Sequence, residues 1–495
     1  VATHGPGRFL GELNLLTGLR VFLDARVVEP GEVLAVPVET LRRIVSTEPQ
    51  LSDKILAAFM ARRADLITDA ASTTRVIGSR YSPETRQIRE FLARTRLPYE
   101  WLDPDTDDQV RTVLLHFGIE TSELPVVISS GAVLRRPNPG LLSEYLGLTV
   151  ANLSERSFDL IIVGAGPAGL AAAVYGASEG LRTLGVDMVA PGGQAGTSSR
   201  IENYFGFPTG ISGGDLTQRG LVQAEKFGAL LSAPCAAVGL REESGHLAVE
   251  LLDSTIVAGR AVIAATGARY RRLEVERLAD FERSSVYYAA TDLEARQCAG
   301  DPVVVVGGGN SAGQASVFLA DQGSRVTVVI RGPDLAATMS RYLVDRLETH
   351  PRIDVVTRSN IVGLDGKRTL TGVRISGPTG ETVLPSAALF SFIGADPASS
   401  WLSGCAALDG RGFVLTDRSL TDDQLGERWS ALGRRPLPFE TSHPGLFAVG
   451  DLRSGSTKRV AAAVGEGSAA VRSVHEHLAF TPTRPLAPPP RRDQP

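Results

Sequence analysis

The clearest chemistry in this 495-residue sequence lies in two glycine clusters, GAGPAG at residues 164–169 and GGGNSA at residues 307–312. Each cluster follows an apolar run rich in β-branched residues, at 158–163 and at 302–306, and precedes small residues with helical spacing. Glycines in this context allow a tight turn and let backbone N–H groups approach a pyrophosphate at the start of a helix. The sequence therefore predicts two dinucleotide-binding βαβ units.

The first cluster has the spacing GxGxxG, and the next predicted strand ends in Asp187, about 20 residues further on. A carboxylate at that point accepts hydrogen bonds from the hydroxyl pair of an unphosphorylated ribose. We therefore expect FAD at the first site, with a plain turn as the alternative. The expected contacts are Gly164, Gly166, Pro167, Ala168, Gly169 and Asp187.

The second cluster has the spacing GxGxxA, and its second strand, at 325–330, ends in Arg331 without an acid. A carboxylate there would repel a 2′-phosphate, whereas a guanidinium can pair with it, so we expect NADPH at this site. Arg325 could share or replace this role, and a solvated arginine at the strand end is the alternative for Arg331. The expected contacts are Gly307, Gly309, Asn310, Ser311, Ala312 and Arg331.

Further motifs follow in a fixed order: GGQ at 192–194, IENY at 201–204, ATGA at 265–268, PGLFAVGD at 444–451 and KRVA at 458–461. Together with the glycine clusters they resemble the low-molecular-weight thioredoxin reductase family of flavoproteins, from Phe158 to Leu478. The resemblance implies electron flow from NADPH to FAD and, commonly, a homodimer. It also implies FAD contacts at Gly193, Gln194, Asn203, Thr266, Gly267, Gly450, Asp451, Arg459, Val460 and Ala461.

The resemblance implies two particular roles near the carboxyl end. Asp451 would hydrogen-bond the ribityl chain of FAD, and the helix beginning at 458–461 would face the pyrimidine edge of the flavin. A helix N-terminus there would stabilise the negative charge of reduced flavin.

The sequence departs from that family at the thiols. The family carries YCATCDG before the NADPH strand, whereas this chain reads YYAATDL, which places Tyr288 and Thr291 at the two thiol positions. Cys298 lies nearby, but a single cysteine cannot cycle as an internal dithiol. We therefore expect no internal thiol relay. Asp292 and Glu294 are the acids beside this segment and could deliver a proton, with solvated loop acids as the alternative.

Near the amino end, FLGELNLLTG at residues 9–18 resembles the phosphate-binding cassette of cyclic-nucleotide-binding domains. The resemblance implies that Gly11 and Glu12 hold a ribose hydroxyl. It implies that Arg20, or alternatively Arg26, pairs with a cyclic phosphate.

Residues 1–70 are accordingly predicted to form a partial β-roll, with its last strand at 32–37 and a trailing amphipathic helix at 41–66. The alternative is a degenerate roll that serves only for docking.

Residues 73–149 resemble the glutaredoxin and thioredoxin fold. The expected elements are strands at 74–78 and 99–102, a helix at 84–94 and a strand that starts with a cis-proline at 124–127. Ser82-Pro83-Glu84-Thr85 stands in the place of that fold's CPYC motif, so this module also lacks a dithiol.

Composition excludes several classes of protein. The net charge is −4 and the pI is about 6.1, which argues against non-specific binding to nucleic acid or anionic membranes. No apolar run is long enough for a spanning helix, and three cysteines are too few for a disulfide scaffold, so we expect a soluble cytosolic protein without a metal site. The Pro- and Arg-rich tail at 481–495 is expected to be disordered.

The sequence thus predicts an α/β protein with two Rossmann-like subdomains, preceded by a thioredoxin-fold module and a partial β-roll. The FAD subdomain is expected at 158–272 and 392–480, with the NADPH subdomain inserted at 273–391. The expected activity is NADPH-dependent reduction of an acceptor that the sequence does not identify: ferredoxin, a quinone, a partner disulfide or oxygen. The alternative is a flavoprotein sensor that responds to cyclic nucleotide or redox state and turns over slowly.

Overall fold

A computed structural model of the protein confirms the predicted α/β class. It contains helices together with strands that form several sheets. Glu12, Arg20 and the tail from residue 481, each the subject of a prediction above, lie outside the described residues. The structure describes residues 5–11, 26–68, 74–97, 99–107, 109–129, 132–243, 245–282, 284–367 and 369–480.

The amino-terminal segment differs from the prediction in two respects. The single helix expected at 41–66 is two helices, because Pro49 cannot continue a helix but can begin one. No strand forms at 32–37, where the side chains of Val33 and Leu34 are 90% and 91% exposed; the described residues nearby provide no strand to pair with. The two helices are α1 (Val38–Thr47) and α2 (Pro49–Thr68).

The next module is a four-stranded sheet with the order β2-β1-β3-β4, in which β1 is parallel to β2 and antiparallel to β3. Its strands and first helix lie where the sequence predicted them, and the Leu124–Pro125 bond is cis. The elements are β1 (Arg75–Ile77), α3 (Pro83–Arg94), β2 (Glu100–Leu102), α4 (Gln109–His116), β3 (Val126–Ser129), β4 (Ala132–Arg135) and α5 (Pro139–Leu146).

The first glycine cluster lies on a seven-stranded sheet with the order β7-β6-β5-β10-β9-β8, and a later strand, β21 (Leu446–Ala448), pairs with β10. The strands β7, β6, β5, β10 and β21 are parallel, as a nucleotide-binding sheet requires. The elements are β5 (Ser157–Val163), α6 (Pro167–Ser178), β6 (Thr183–Val186), α7 (Gly213–Lys226), β7 (Leu230–Ser232), β8 (Ala237–Glu243), β9 (His246–Leu251), β10 (Ile256–Ala264) and β11 (Ala268–Tyr270).

The second glycine cluster lies on a separate five-stranded parallel sheet with the order β12-β19-β13-β14-β15, beside a small antiparallel sheet of β16, β17 and β18. The elements are α8 (Leu278–Phe281), β12 (Val286–Tyr287), α9 (Asp292–Gln297), β13 (Pro302–Val306), α10 (Asn310–Asp321), β14 (Arg325–Val329), α11 (Arg341–Thr349), β15 (Ile353–Val356), β16 (Asn360–Gly366), β17 (Leu370–Gly377), β18 (Gly380–Pro385) and β19 (Ala388–Ser391).

The chain then returns to the first sheet through β20, which pairs with β11. The final helix crosses α6 very closely: a Cβ at Gly467 would lie 2.0 Å from the Ala168 carbonyl oxygen. Among the helices that the structure describes, none combines the length and apolar character needed to cross a bilayer. The remaining elements are β20 (Ala395–Pro397), α12 (Glu427–Leu432), β21 (Leu446–Ala448) and α13 (Val460–Phe480).

Candidate functional site

The first glycine turn leaves no room for side chains. Gly164 has φ +105°, and a Cβ there would lie 2.3 Å from the carbonyl oxygen of Ala265 on the neighbouring strand end. A Cβ at Gly169 would lie 1.8 Å from the Gly164 carbonyl oxygen. Glycine at these two positions is therefore required by close packing of strand, turn and helix.

The helix that follows this turn begins without a side-chain cap. Its N-cap is Gly166, and Pro167 and Ala168 form the start of α6. Gly193 faces Gly166 so closely that a Cβ on Gly193 would lie 2.8 Å from the Gly166 Cα. Two side-chain-free stretches of backbone thus meet at an uncapped helix N-terminus, and this cradle fits the pyrophosphate of a dinucleotide.

Asp187 is placed beside this cradle and already has backbone partners. Its carboxylate accepts hydrogen bonds from the N–H groups of Ala165 at 2.8 Å, Val189 at 2.9 Å and Ala190 at 3.0 Å. Burial raises the pKa of Asp187, and these three hydrogen bonds oppose the rise. A carboxylate offers about four acceptor positions, so roughly one remains for a ribose hydroxyl. The backbone-holding role of Asp187 was not predicted from the sequence.

Two of the predicted FAD residues join the loops around the cradle. Gln194 Nε2 donates to the Ala268 carbonyl oxygen, and Thr266 Oγ1 donates to the Ala398 carbonyl oxygen at 2.7 Å. Asn203 is exposed and joins no such pair of loops among the residues that the structure describes.

The predicted residues near the carboxyl end gather where β21 meets α13. Gly450 has φ +68° and begins the turn that contains Asp451, whose pKa is raised by burial. Lys458 Nζ donates to the Asp451 carbonyl oxygen at 2.5 Å, which brings the start of α13 beside this turn. The predicted residues Arg459, Val460 and Ala461 form that helix start.

Sequence reasoning missed the ion pair that supports this turn. The Glu466 carboxylate accepts from the Gly450 N–H at 2.7 Å and pairs with Arg453 at 2.7 Å. No spacing rule indicated this pair, because its two members belong to a loop and to the middle of a helix.

The second glycine turn also begins with a glycine at positive φ, but the helix N-terminus that follows it is less closely packed. Gly307 has φ +137°, and a Cβ there would lie 2.4 Å from the Phe392 carbonyl oxygen. The N-cap of α10 is Gly309, which has no side-chain cap, and a Cβ there would meet nothing within 4 Å. Asn310 is held by Ser340, whose N–H donates to Asn310 Oδ1 at 2.7 Å. The uncapped N-terminus again fits a dinucleotide phosphate.

The two arginines considered for the 2′-phosphate lie at opposite ends of one strand. Arg331 is exposed just beyond the carboxyl end of β14, where the glycine turn also lies, and its side chain pairs with no other described residue. Arg325 is paired in register with Pro302, at the amino end of the same sheet. The register therefore separates Arg325 from the turn, and the alternative role for Arg325 is disfavoured.

The segment at the two thiol positions is packed and hydrogen-bonded. The Tyr287 hydroxyl donates to the Ser284 carbonyl oxygen at 2.7 Å, and the Tyr288 hydroxyl donates to Glu282. The Cys298 thiol donates to the Glu294 carbonyl oxygen at 2.9 Å, and burial raises its pKa to about 12. A thiol with that pKa is almost entirely protonated at neutral pH and is a poor nucleophile.

Of the two acids predicted beside this segment, Glu294 has a defined setting. Its carboxylate accepts hydrogen bonds from the Thr291 N–H, at 2.9 Å, and from the Thr291 hydroxyl. Burial raises the pKa of Glu294, and the bonds from Thr291 oppose the rise. A carboxyl group with a raised pKa suits proton donation. The Asp292 side chain lies outside the described part of the structure.

Similarity to known proteins extends across both glycine turns. Residues 158–467 match the family described as pyridine nucleotide-disulphide oxidoreductase. A thioredoxin reductase of Listeria monocytogenes is 30% identical over 330 residues, covering 66% of this chain and 95% of that protein. Thioredoxin reductase 1, mitochondrial, of Arabidopsis thaliana is 32% identical over 337 residues, covering 64% of this chain and 83% of that protein.

Solved structures of thioredoxin reductases are also similar to this chain. The thioredoxin reductase of T. acidophilum superposes with a TM-score of 0.59 at 26% identity, covering 66% of this chain and all of that one. The Lactococcus lactis thioredoxin reductase in its FR conformation superposes with a TM-score of 0.58, also at 26% identity and with the same coverage of both chains.

Proposed function

This chain belongs to the pyridine nucleotide-disulphide oxidoreductase family, and we propose that it is an FAD-containing, NADPH-dependent oxidoreductase without an internal dithiol. FAD and NADPH are the cofactors of thioredoxin reductases, which the chain resembles over two thirds of its length. One observation carries the proposal: two glycine cradles of dinucleotide type stand in one chain, while Tyr288 and Thr291 occupy the thiol positions.

The bound cofactors would supply hydride transfer from nicotinamide to flavin. The chain's own contribution is to bind and orient them. The uncapped helix N-termini at Gly166 and Gly309 would bind the phosphates, and Asp187 would select an unphosphorylated ribose at the first site. Arg331 would select the 2′-phosphate at the second site, since it is exposed and has no described partner.

Glu294 is proposed as the proton donor for reduction of the acceptor. Glu294→Gln keeps the acceptor oxygen for Thr291 but removes the proton, and we expect it to slow acceptor reduction by about 100-fold. Anaerobic reduction by NADPH should stay unchanged in this variant. Asp292→Asn is the matched control. Equal loss in both variants would remove Glu294 from this role.

The acceptor is proposed to receive electrons without any protein thiol. To test this, all three cysteines are replaced (Cys235→Ser, Cys298→Ala and Cys405→Ser), and NADPH oxidation is measured with ferredoxin, a quinone, a disulfide and oxygen. The proposal expects unchanged turnover with the best acceptor. Loss of turnover in a folded, yellow triple variant would show that a thiol takes part.

The amino-terminal modules enter the proposal as accessory parts: a cyclic-nucleotide-binding remnant at 1–70 and a glutaredoxin-like module at 73–149. We likewise propose that the FAD subdomain comprises 158–272 and 392–480 and that the NADPH subdomain comprises 273–391. We also propose that the protein forms a homodimer.

The start of the cassette-like segment packs on α2, because Arg62 donates to the carbonyl oxygens of Phe9 and Gly11, both at 2.7 Å. Titration with cyclic AMP and cyclic GMP tests whether residues 1–70 bind a cyclic nucleotide. The assignment of that segment fails if neither nucleotide binds.

A further inference from the structure

The amino-terminal sheet module contacts the segment that occupies the thiol positions. Arg86 on α3 donates to the Glu282 carbonyl oxygen at 2.6 Å, and its guanidinium lies 4.9 Å from the centre of the Tyr287 ring. The chain just after α3 contacts α7 of the FAD side, because Arg96 pairs with Asp215 at 2.7 Å. The start of α3, which stands in place of a dithiol motif, therefore faces the second segment from which a dithiol is missing.

A small cavity of about 20 Å³ lies between these two surfaces. That volume is close to the room for one water molecule, so the cavity admits only the end of a charged group and is far too small for a cofactor. Arg80 is 42% exposed, so the cavity is reached from solvent on that side. It is lined by Arg80, Thr85, Arg86, Arg89, Ser284, Tyr287, Glu294 and Gln297.

The charges around the cavity favour an anion. Three guanidinium groups line it, against the single carboxyl group of Glu294. Arg80 is neutralised by Asp103 at 2.5 Å, whereas Arg86 and Arg89 have no carboxylate partner among the described residues. Positive charge at the wall is therefore only partly compensated.

Two polar groups in the cavity wall lack hydrogen-bond partners. The Thr85 hydroxyl and the Arg89 Nε make no hydrogen bond in the described structure, although these residues are 0% and 6% exposed. Arg89 is held by stacking, with its Cζ 3.5 Å from the centre of the Trp101 ring. Buried donors are normally satisfied, so the unpaired guanidinium N–H of Arg89 leaves a place for an acceptor.

We propose that this cavity is an anion-binding site that takes the carboxylate or phosphate head group of a small molecule between α3 and residues 284–297. Arg86 and Arg89 supply charge-assisted donors, and Thr85 supplies a hydroxyl. A bound anion would join the amino-terminal module to the segment that replaces the dithiol. The site needs neither flavin nor NADPH, so its existence is independent of the activity proposed above.

The test measures anion binding to the full-length protein. Sodium phosphate and sodium acetate are titrated at constant ionic strength, with sodium chloride as the balancing salt, and followed by calorimetry and by melting temperature. Saturable binding of either anion supports the site. Preference for phosphate identifies a phosphate head group, and preference for acetate identifies a carboxylate. Absence of saturable binding by both anions overturns the proposal.

Variants locate the binding. Arg89→Gln should weaken binding at least about tenfold, and Thr85→Val should weaken it less while preserving the shape of the residue. Arg75→Gln is the matched control, because Arg75 is an exposed arginine on β1 of the same module and pairs with Glu100. Equal weakening by Arg75→Gln and Arg89→Gln overturns the assignment.

Crystals of the unmodified protein soaked in selenate keep the test decisive if Arg89→Gln does not fold. An anomalous peak between Arg86 and Arg89 supports the site, and a map without that peak overturns it.

Discussion

The two glycine cradles have the same turn but differ in what surrounds them. At the first, Asp187 is half-buried and accepts hydrogen bonds from three backbone amides, and Gly193 packs against Gly166. At the second, Gly309 meets nothing within 4 Å, and Arg331 is exposed. An enclosed cradle suits a cofactor that stays bound, whereas an open one suits a nucleotide that exchanges in every turnover.

One position makes the comparison sharper. The last residue of the motif is Gly169 in the first cradle and Ala312 in the second. A Cβ at Gly169 would strike the Gly164 carbonyl oxygen at 1.8 Å, whereas the Cβ of Ala312 is accommodated in a fully buried site. The first helix therefore packs closer to its strand than the second does.

The largest effect is expected from Gly169→Ala. Because the new Cβ would meet backbone rather than a movable side chain, we expect destabilisation by about 3 kcal/mol and loss of bound flavin. Flavin absorbance per protein and the melting temperature check this. A yellow variant of normal stability would show that the two cradles do not differ in this respect.

Glu440→Gln should have the next largest effect and should act on the first sheet alone. Burial would raise the pKa of Glu440, but hydrogen bonds from His477, Arg434 and the amides of Gly445 and Leu437 lower it to about 2. Glutamine keeps one acceptor oxygen for these partners but loses the charge, so we expect destabilisation by about 2 kcal/mol. Chemical denaturation, monitored through the release of flavin, measures this loss of unfolding free energy.

The same group predicts a dependence of stability on pH. A carboxyl group with a lowered pKa in the folded state stabilises the fold above its ordinary pKa of 4.5. That contribution is lost as the pH falls from 4.5 towards 2. Flavin release should therefore become easier over this acid range in the unmodified protein, with a smaller change in Glu440→Gln. Identical acid sensitivity of the two proteins would contradict this assignment.

Arg331→Ala probes the second cradle. Loss of the charge-assisted contact with a 2′-phosphate should cost about 1–3 kcal/mol, or roughly 10- to 100-fold in KM for NADPH, and should leave NADH almost unaffected. Arg325→Ala is the matched control, because Arg325 lies at the other end of the strand. Equal losses with NADPH and NADH would refute the role of Arg331.

Ala312→Gly should have the smallest effect. The change makes the second motif identical in spacing to the first, and it should cost about 1 kcal/mol in helix stability. Flavin content and KM for NADPH should stay near those of the unmodified protein. A strong effect on either would mean that the Ala312 methyl group is needed for more than filling space.

Much of the fold could be predicted because glycine turns after β-branched strands obey local rules. Gly164 and Gly307 were expected at tight turns, and both have positive φ with neighbouring backbone where a side chain would be. The interruption at Pro49 and the unpaired stretch at 32–37 were missed. The stretch was missed because a strand depends on partners elsewhere in the chain.

The chemistry of the site could be predicted only in part. Asp187 lies beside the first turn and its contact with a ribose stays a prediction, while its three backbone partners were not foreseen. The pair of Glu466 with Arg453 and the contact of Arg86 with residue 282 join positions that sequence spacing does not relate. Such contacts arise from tertiary packing, which local patterns do not encode.

The most direct test of the proposed function is an absorbance spectrum of the purified protein, followed by anaerobic titration with NADPH. We predict a flavin spectrum near one FAD per chain and complete bleaching by about one equivalent of NADPH. The triple cysteine variant should bleach in the same way. A colourless protein, or a bound flavin that NADPH does not reduce, would contradict the account.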